Sequence, residues 1–474
     1  MSGVTIYSGK NQPVPIRSWV LFVLFAIINL SNGCATLPNV SEVIAEAPPA
    51  QDSQQIVSSK GLISPQKSQE IMERLQRSVN PTDVLERHTA VVESVTDSPL
   101  TKGNKVTLLS DGPATYAAMF KIIENAKDHV NLESYIIEDD EIGRKFADLL
   151  LQKQAKGVRI NVLYDGMGSI NTPAAYFQRL RDGGIQVVEF NPLTDLPTGE
   201  NLGMIHRDHR KILIADGQAA IIGGINISEV YSSSPRKRKP HPHAPIRWRD
   251  TDIQIEGPAV AELQKLFFDT WQKQKGPELS ERNYFPVLKE AGKELVRVIG
   301  STPGETNRIP FIIYVSAITF AEHSIHLTNS YFIPDDQITE ALTNAARRGV
   351  DVKIILPGIT DSKLALYAQR HHYSGLLKSG VKIYEHGSAL LHAKTAVVDQ
   401  VWSTVGSTNL DLLSLLNNDE VNAVILGNDF AGEMEKMFAN DLENSKQIKW
   451  EEWKKRPLLP RVRGWFVNLF GRWL

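Results

Sequence analysis

The chain has 474 residues, room for roughly three domain-sized units. Its 52 basic and 54 acidic side chains leave a formal net charge of -2. That balance excludes the strong positive field of a typical nucleic-acid binder, although a local basic groove stays open. A single cysteine, Cys34, excludes an intramolecular disulfide and a thiolate-held structural metal.

At the N-terminus Lys10 and Arg17 precede an apolar run from Trp19 to Ile28, then Asn29-Leu-Ser-Asn-Gly-Cys34. A basic flank, a short apolar core and small residues beside a break read as a secretory signal over residues 1–34. The core is short for a membrane span, which needs roughly 20 residues. The stretch resembles a bacterial lipobox, with Gly33 ahead of a lipidated Cys34 but Ser31 where an aliphatic residue is usual. Lipidation and an uncleaved signal anchor both place the protein on a bacterial membrane, exported or facing the periplasm; a buried segment is the plain alternative. Residues 35–104 begin polar and rich in Pro, Gln and Ser. They read as a polar tether with one helix around residues 64–79, where Ser64 caps and Pro65 takes the first helical position. Compact structure is expected from Lys105.

From there two stretches can be laid over one another. Ala126 to Asp140, a helical segment and Gly157 to Tyr164 match Ala321 to Asp335, a helical segment and Gly349 to Leu356. The chain contains an internal duplication, one repeat over 105–285 and one over 286–445. Each copy alternates β-branched runs (160–164, 352–356) with longer helical patterns (142–153, 337–348). This predicts a layered α/β fold with a mostly parallel or mixed sheet. Such repeats are domains rather than solenoid units, packed about a pseudo-two-fold axis with a shared site at their interface.

Each copy carries one arrangement at one spacing. His209-Arg-Lys211-Ile-Leu-Ile-Ala-Asp216 leads after six residues to Gly223-Gly224-Ile-Asn226, and His392-Ala-Lys394-Thr-Ala-Val-Val-Asp399 leads after six to Gly406-Ser407-Thr-Asn409. A lone His-x-Lys says little, but this pattern twice does not arise by chance. In an extended segment residues i and i+2 share a face, so each histidine points with its lysine while Arg210 and Ala393 point away. Asp216 and Asp399 fall at odd offsets, which assigns them a structural role at a turn or a basic side chain. Gly223, Gly224, Gly406 and Ser407 let backbone approach an oxyanion, and Asn226 and Asn409 offer amide donors.

Two lysines, two asparagines and two imidazoles meeting at one point make a phosphodiester pocket. The ammonium groups supply the positive charge a metal would otherwise bring, one imidazole attacks phosphorus, and the other moves the proton of the alkoxide. This chemistry requires no metal and no cofactor. Carboxylates to orient the imidazoles are Asp250, seven residues before Gly257, and Glu420, seven before Gly427. Register pairs Asp250 with His209 and Glu420 with His392, Asp252 being the competing choice in the first half.

The duplicated His-x-Lys-x4-Asp pattern with its Gly-Gly/Ser-x-Asn sequel resembles the phospholipase D superfamily. Trp248 to Ala259, Asn329 to Asp335 and Leu356 to Asp361 look more narrowly like bacterial cardiolipin synthases, and the likeness covers residues 105–445. The resemblance implies two α/β/α sandwich repeats and a ping-pong reaction that parks a phosphatidyl group on a histidine. It implies His209 as nucleophile and His392 as acid/base, although the symmetry of the sequence leaves the two exchangeable. It also implies phospholipid substrates, phosphatidylglycerol first, with a second phospholipid as acceptor. The lipoprotein-like start departs from the two transmembrane helices, or none, of familiar cardiolipin synthases. Water as acceptor, giving phosphatidic acid, is the second reading. A nuclease is the third, since the pocket suits any phosphate diester. The anchor, the charge balance and the aromatic-basic end favour lipid at a membrane surface, with no nucleic-acid partner expected.

Weaker signals remain. Residues 232–243, with Arg236, Lys237, Arg238 and Lys239, read as a basic lip for anionic headgroups or as a solvated loop. His206, His371 and His372 read as surface or packing residues, and Tyr331 and Phe332 as core or pocket wall. Four of the eight tryptophans (Trp450, Trp453, Trp465, Trp473) sit among Lys454, Lys455, Arg456, Arg461, Arg463 and Arg472. Residues 446–474 therefore suit a membrane interface, with a helix packed on the domain as the alternative.

Overall fold

Alternating apolar residues build two sheets of one design. The structure, a computed structural model, describes residues 36–48, 55–192, 206–233, 247–304, 308–457 and 463–467. Its first strands are β1 (Ile56–Ser58), β2 (Gly61–Leu62), β3 (Leu100–Leu109), β4 (His129–Ser134), β5 (Arg159–Asp165), β6 (Gln186–Phe190), β7 (Arg207–Asp208), β8 (Lys211–Ala215), β9 (Ala219–Gly223), β10 (Trp248–Arg249) and β11 (Asp252–Glu256). The rest are β12 (Glu294–Ser301), β13 (Ser324–Asn329), β14 (Asp351–Pro357), β15 (Lys382–His386), β16 (Leu390–Leu391), β17 (Lys394–Val398), β18 (Trp402–Gly406), β19 (Asn418–Leu426) and β20 (Ser445–Ile448). The first sheet runs β3-β11-β9-β8-β4-β5-β6 and the second β12-β19-β18-β17-β13-β14-β15, the same order twice. β3 pairs with β11 through residues 105–109 and with β12 nearer its start, joining the sheets.

The strand period of two decides the layers. Ile212, Ile214, Ala220 and Ile222 face a core shared with Val397, Val405, Val421 and Ala423 of the other repeat. Leu213 and Ile221 face the opposite way, as do Ala396 and Val398. Helices Val260–Lys273 and Asn428–Glu443 contribute to the shared core. Gly112–Asn125, Glu141–Ala155 and Ala174–Asp182 cover the outer face of the first sheet. Ile309–Phe320, Asp336–Arg347 and Lys363–Lys378 cover that of the second. The expected two-repeat α/β sandwich is what forms.

Two short parallel pairs cross between the repeats. β7 lies beside the start of β19 (Arg207 with Asn418, Asp208 with Asp419), and β10 beside β16 (Trp248 with Leu390, Arg249 with Leu391). In both, the residues just ahead of a His-x-Lys run beside a segment of the other repeat that leads into Glu420 or Asp250.

The tether is a correction. Ile56, Met72, Val84, Leu85, Val91 and Val92 are buried with Phe311 and Ile312 of the second repeat, and β1 pairs with β3, so ordered packing begins well ahead of Lys105. The polar stretch around 47–55 hid the apolar pairs Val84-Leu85 and Val91-Val92, which sit at helical spacing and supply the buried face. Helix Pro65–Arg77 has Pro65 at its start, but the Ser64 side chain makes no capping bond. At the other end β20 pairs with β15, so the segment expected to be a tail begins as a sheet edge. Residues 1–34, including Cys34, and most of 232–243 lie outside the described residues. No described helix is long and apolar enough to cross a membrane.

Candidate active site

The regular strands begin at the lysines, β8 at Lys211 and β17 at Lys394. Each histidine sits in the short link before its strand, pinned through its backbone to the other repeat. The His209 N–H donates to the Asp419 carbonyl at 2.9 Å and the His392 N–H to that of Arg249 at 2.7 Å. Each lysine folds back onto its own histidine: Lys211 Nζ donates to the His209 carbonyl at 2.6 Å, and Lys394 Nζ to that of His392. All four side chains are buried.

The carboxylates are crossed, which corrects the pairing read from register. His209 Nδ1 lies 3.0 and 3.1 Å from the two oxygens of Glu420, and His392 Nδ1 lies 2.6 Å from Asp250 Oδ2. The cause is the pair of cross-repeat strand contacts, which bring each carboxylate to the opposite histidine. Glu420 also accepts the hydroxyls of Ser407 and Ser414. Asp250 accepts the Thr251 N–H at 2.7 Å. Asp252 instead holds the glycine turn, accepting the Ile225 N–H at 3.1 Å.

The small residues serve this second layer rather than an oxyanion, a further correction. A Cβ on Gly224 would collide with Asp250, one on Gly223 with Asp252, and one on Gly406 with Asn422. An anion set against those carboxylates would be repelled. Asn226 Oδ1 accepts the Ile136 N–H at 3.1 Å and its amide donates to Tyr231 Oη at 3.2 Å. Asn409 Oδ1 accepts the Ser330 hydroxyl at 2.7 Å. Asp216 accepts the N–H groups of Lys127, Asp128 and His129 at 2.8–3.1 Å. Asp399 accepts those of Glu322, His323 and Ser324 at 2.8–2.9 Å. Both aspartates sit at positive φ, 52° and 50°, and tie the turn after the motif strand to the start of a neighbouring strand.

Around the histidines stands an aromatic frame, of which sequence reasoning singled out only Tyr331, as core or pocket wall. The Tyr135 ring lies 5.2 Å from His209 and 5.1 Å from Lys211 Nζ. Around His392 stand Trp248 at 5.0 Å and Tyr331 at 6.1 Å, with Tyr231 Oη 3.4 Å from Nδ1. Trp248 and Tyr331 stood within the segments that carried the resemblance; nothing local marked Tyr231 or Ser414. His206 Nε2 lies 3.0 Å from Asp419 Oδ1, outside the imidazole pair, and His371 is half-buried on helix Lys363–Lys378.

Burial sets the charges. It pushes His209 below its ordinary value, with Glu420 opposing and Lys211 reinforcing. Burial, then Lys394, pushes His392 down to about 4. Burial lowers Lys211 to about 7 and Lys394 to about 8, Glu420 and Asp250 holding both up. Burial raises Glu420, but His209 and the two serine hydroxyls more than offset it, leaving that carboxylate below its usual range. Lys394 acts on both Lys211 and His209, and the crossed carboxylates tie each histidine to the other repeat, so the two motifs lie within electrostatic reach of one another. With each Nδ1 engaged by a carboxylate, each Nε2 is left for chemistry. Among the described residues no three His, Cys, Asp or Glu side chains are grouped to hold a metal ion.

The family model described as "Cardiolipin synthase, PLD-like domain" matches residues 119–234 and 314–442. Cardiolipin synthase of Geobacillus sp. (strain WCH70) is 35% identical over 367 residues, 77% of this chain and 71% of that protein. Cardiolipin synthase of Halalkalibacterium halodurans is 34% identical over 394 residues, 82% of this chain and 76% of that protein. The crystal structure of phosphatidylserine synthase from Haemophilus influenzae Rd KW20 aligns with a TM-score of 0.57 at 14% identity, over 85% of this chain and 100% of that one, a likeness of fold.

Proposed function

The chain belongs to the cardiolipin-synthase family of phospholipase D-like enzymes and is a phosphatidyltransferase of that type, and from that premise we propose that it joins two phosphatidylglycerol molecules through a phosphohistidine. His209 Nε2 attacks phosphorus. The ring gains positive charge as the P–N bond forms, and Glu420, bonded to Nδ1 and held ionised, neutralises it. His392 gives a proton to the departing glycerol oxygen as the P–O bond breaks. It then takes one from a hydroxyl of the second phosphatidylglycerol, whose oxygen attacks phosphorus and frees His209. At about 4 the resting His392 is neutral; a bound anionic diester raises it, so the proton arrives with the substrate. Lys211 and Lys394 meet the charge that develops on the equatorial oxygens, and the scheme calls for no metal.

The crossed His–carboxylate pairs are the observation that carries this reading. The relatives' name, cardiolipin synthase, supports cardiolipin as the product. Attachment to a bacterial membrane, on its exported side, through a lipidated Cys34 or an uncleaved signal rests on residues 1–34 and belongs to the same proposal.

The test is to incubate the purified full chain with phosphatidylglycerol vesicles and resolve the products. Cardiolipin with free glycerol is expected. Phosphatidic acid alone makes water the acceptor, and cleaved single-stranded DNA with no lipid product ends the lipid reading. His209→Ala and His392→Ala should each abolish turnover. After a basic quench, labelled phosphate should reside on the His209 peptide; label on His392 reverses the two roles.

A further inference from the structure

Among the described residues seven large apolar side chains are exposed: Leu62, Ile170, Phe285, Val287, Leu364, Trp465 and Phe466. Single exposed apolar residues are ordinary. Four of these, however, lie on the loop beside Tyr135, on the helix that follows Asp361, or on the turn packed against that helix.

Ile170, 58% exposed, lies on the loop after β5. Gly168 of that loop sits against Tyr135, where a Cβ would strike the tyrosine's carbonyl and ring, and Tyr135 in turn lies over His209 and Lys211. On the second repeat the loop after β14 carries Asp361, which accepts the Tyr331 phenol at 2.8 and 2.9 Å, and Tyr331 lies beside His392. Burial and then Asp361 hold Tyr331 well above its ordinary range, and Tyr135 of the other repeat adds to the rise. Tyr135 and Tyr331 thus stand beside the two crossed His–carboxylate pairs, one on each side of the active-site mouth.

Helix Lys363–Lys378 starts at that mouth, with Leu364, 45% exposed, in its first turn. Leu364, Tyr367 and His371 share a face at i, i+3 and i+7. The helical turn at residues 463–467 crosses this face. A Cβ on Gly464 would lie 3.1 Å from the Tyr367 carbonyl and 3.7 Å from His371 Cβ, while Trp465 and Phe466 remain 56% and 48% exposed. Lys363 and Arg463 are exposed among these side chains.

We propose that Ile170, Leu364, Trp465 and Phe466 form a rim that inserts into the surface of an anionic phospholipid bilayer and seats the active-site mouth there. The proposal rests on the lipid reading of the site. Aromatic and aliphatic side chains beside exposed cations match the chemistry at headgroup depth. Bringing the enzyme down to the diester spares the acyl chains exposure to water. A protein docked on this rim would instead cover the opening.

The test uses the full chain and vesicles of phosphatidylglycerol and phosphatidylcholine with brominated acyl chains. The Trp465 signal, taken as wild type minus Trp465→Phe, should be quenched by the bromines. The variant Ile170→Gln/Leu364→Gln/Trp465→Gln/Phe466→Gln should lose about tenfold or more of its turnover on vesicles, because interfacial binding scales with inserted apolar area. On short-chain phosphatidylglycerol dispersed as monomers it should match wild type, which also reports that the variant folds. Equal vesicle turnover together with an unquenched Trp465 overturns the rim while leaving the lipid chemistry standing. Quenching in an enzyme that makes no lipid product does the reverse.

Discussion

Behind His209 the chain places charge, and behind His392 hydrocarbon. Asp208 and Arg210 flank His209 and are both buried. The matching positions around His392 are Leu391 and Ala393, packed with Ile355 and Phe438. Arg210 donates to the Glu420 carbonyl at 3.1 Å, to Thr270 Oγ1 at 2.7 Å and to the Ser301 carbonyl at 2.8 Å, and lies 3.9 Å from Glu133. Burial raises Glu133 to about 7 and, with Glu133 adding to it, carries Asp208 well above its usual range. The carboxylates differ in the same way. Glu420 has two serine hydroxyls, whereas Asp250 faces Gly224 where the other repeat has Ser407. Duplication has kept the groups that face the diester and let the layer behind them diverge, so two chemically identical imidazoles sit in different fields.

The largest test of that contrast is Glu420→Gln against Asp250→Asn. Each should cut kcat by roughly a hundred- to ten-thousandfold, the range of a positioned proton transfer. With a phosphatidyl ester of p-nitrophenol, whose leaving group needs no proton, phosphoenzyme formation should recover in Asp250→Asn and not in Glu420→Gln. Equal recovery in both breaks the asymmetry.

Next is stability. Arg210→Ala strips the counter-charge from buried acids and should cost about 3–5 kcal/mol, while Leu391→Ala opens a cavity for about 2–5 kcal/mol. The two separate by pH. Glu133 is raised from 4.5 to about 7 on folding, so the folded state holds its proton more tightly and stability falls as pH rises between those values. The Arg210→Ala deficit should therefore be smaller at the acid end of that window, where only its bonds to neutral acceptors are lost, and full above it, whereas the Leu391→Ala deficit should not change. Urea unfolding on both sides of the window decides this, and a pH-independent Arg210→Ala deficit counts against a charged layer.

A smaller effect tests the lysines. Lowered to about 7 and 8, they are charged below those values and lose charge as pH rises through them. On the alkaline side kcat/KM, which reports the free enzyme, should fall about tenfold per pH unit between the two values and about a hundredfold per unit above both. A flat profile up to the ordinary lysine range contradicts the burial argument. Smallest is Ser407→Gly, which gives the second repeat the first repeat's residue. Losing one hydroxyl from an ionised Glu420 should cost about 1.5 kcal/mol and slow phosphoenzyme formation, with the fold intact by circular dichroism.

His209, Lys211, His392 and Lys394 were legible because spacing along a chain is a local property and the chemistry demands it in both copies. The layers of the fold were legible for a similar reason, since Ile212 and Leu213 must face opposite sides of one strand. In the tether read over residues 35–104 the helix near 64–79 does form, as Pro65–Arg77, but the packing was missed because the buried side chains come singly or in isolated pairs that mean little until the second repeat's helices lie over them.

From the sequence alone follow the duplication, the α/β layering and the four groups at the centre of the site, all set by short-range periodicity. Only the packed chain decided which carboxylate serves which histidine. His209 meets Glu420 across 211 positions and His392 meets Asp250 across 142, contacts made when β7 aligns with β19 and β10 with β16. Strand register inside one repeat carries no information about which strand of the other will lie beside it.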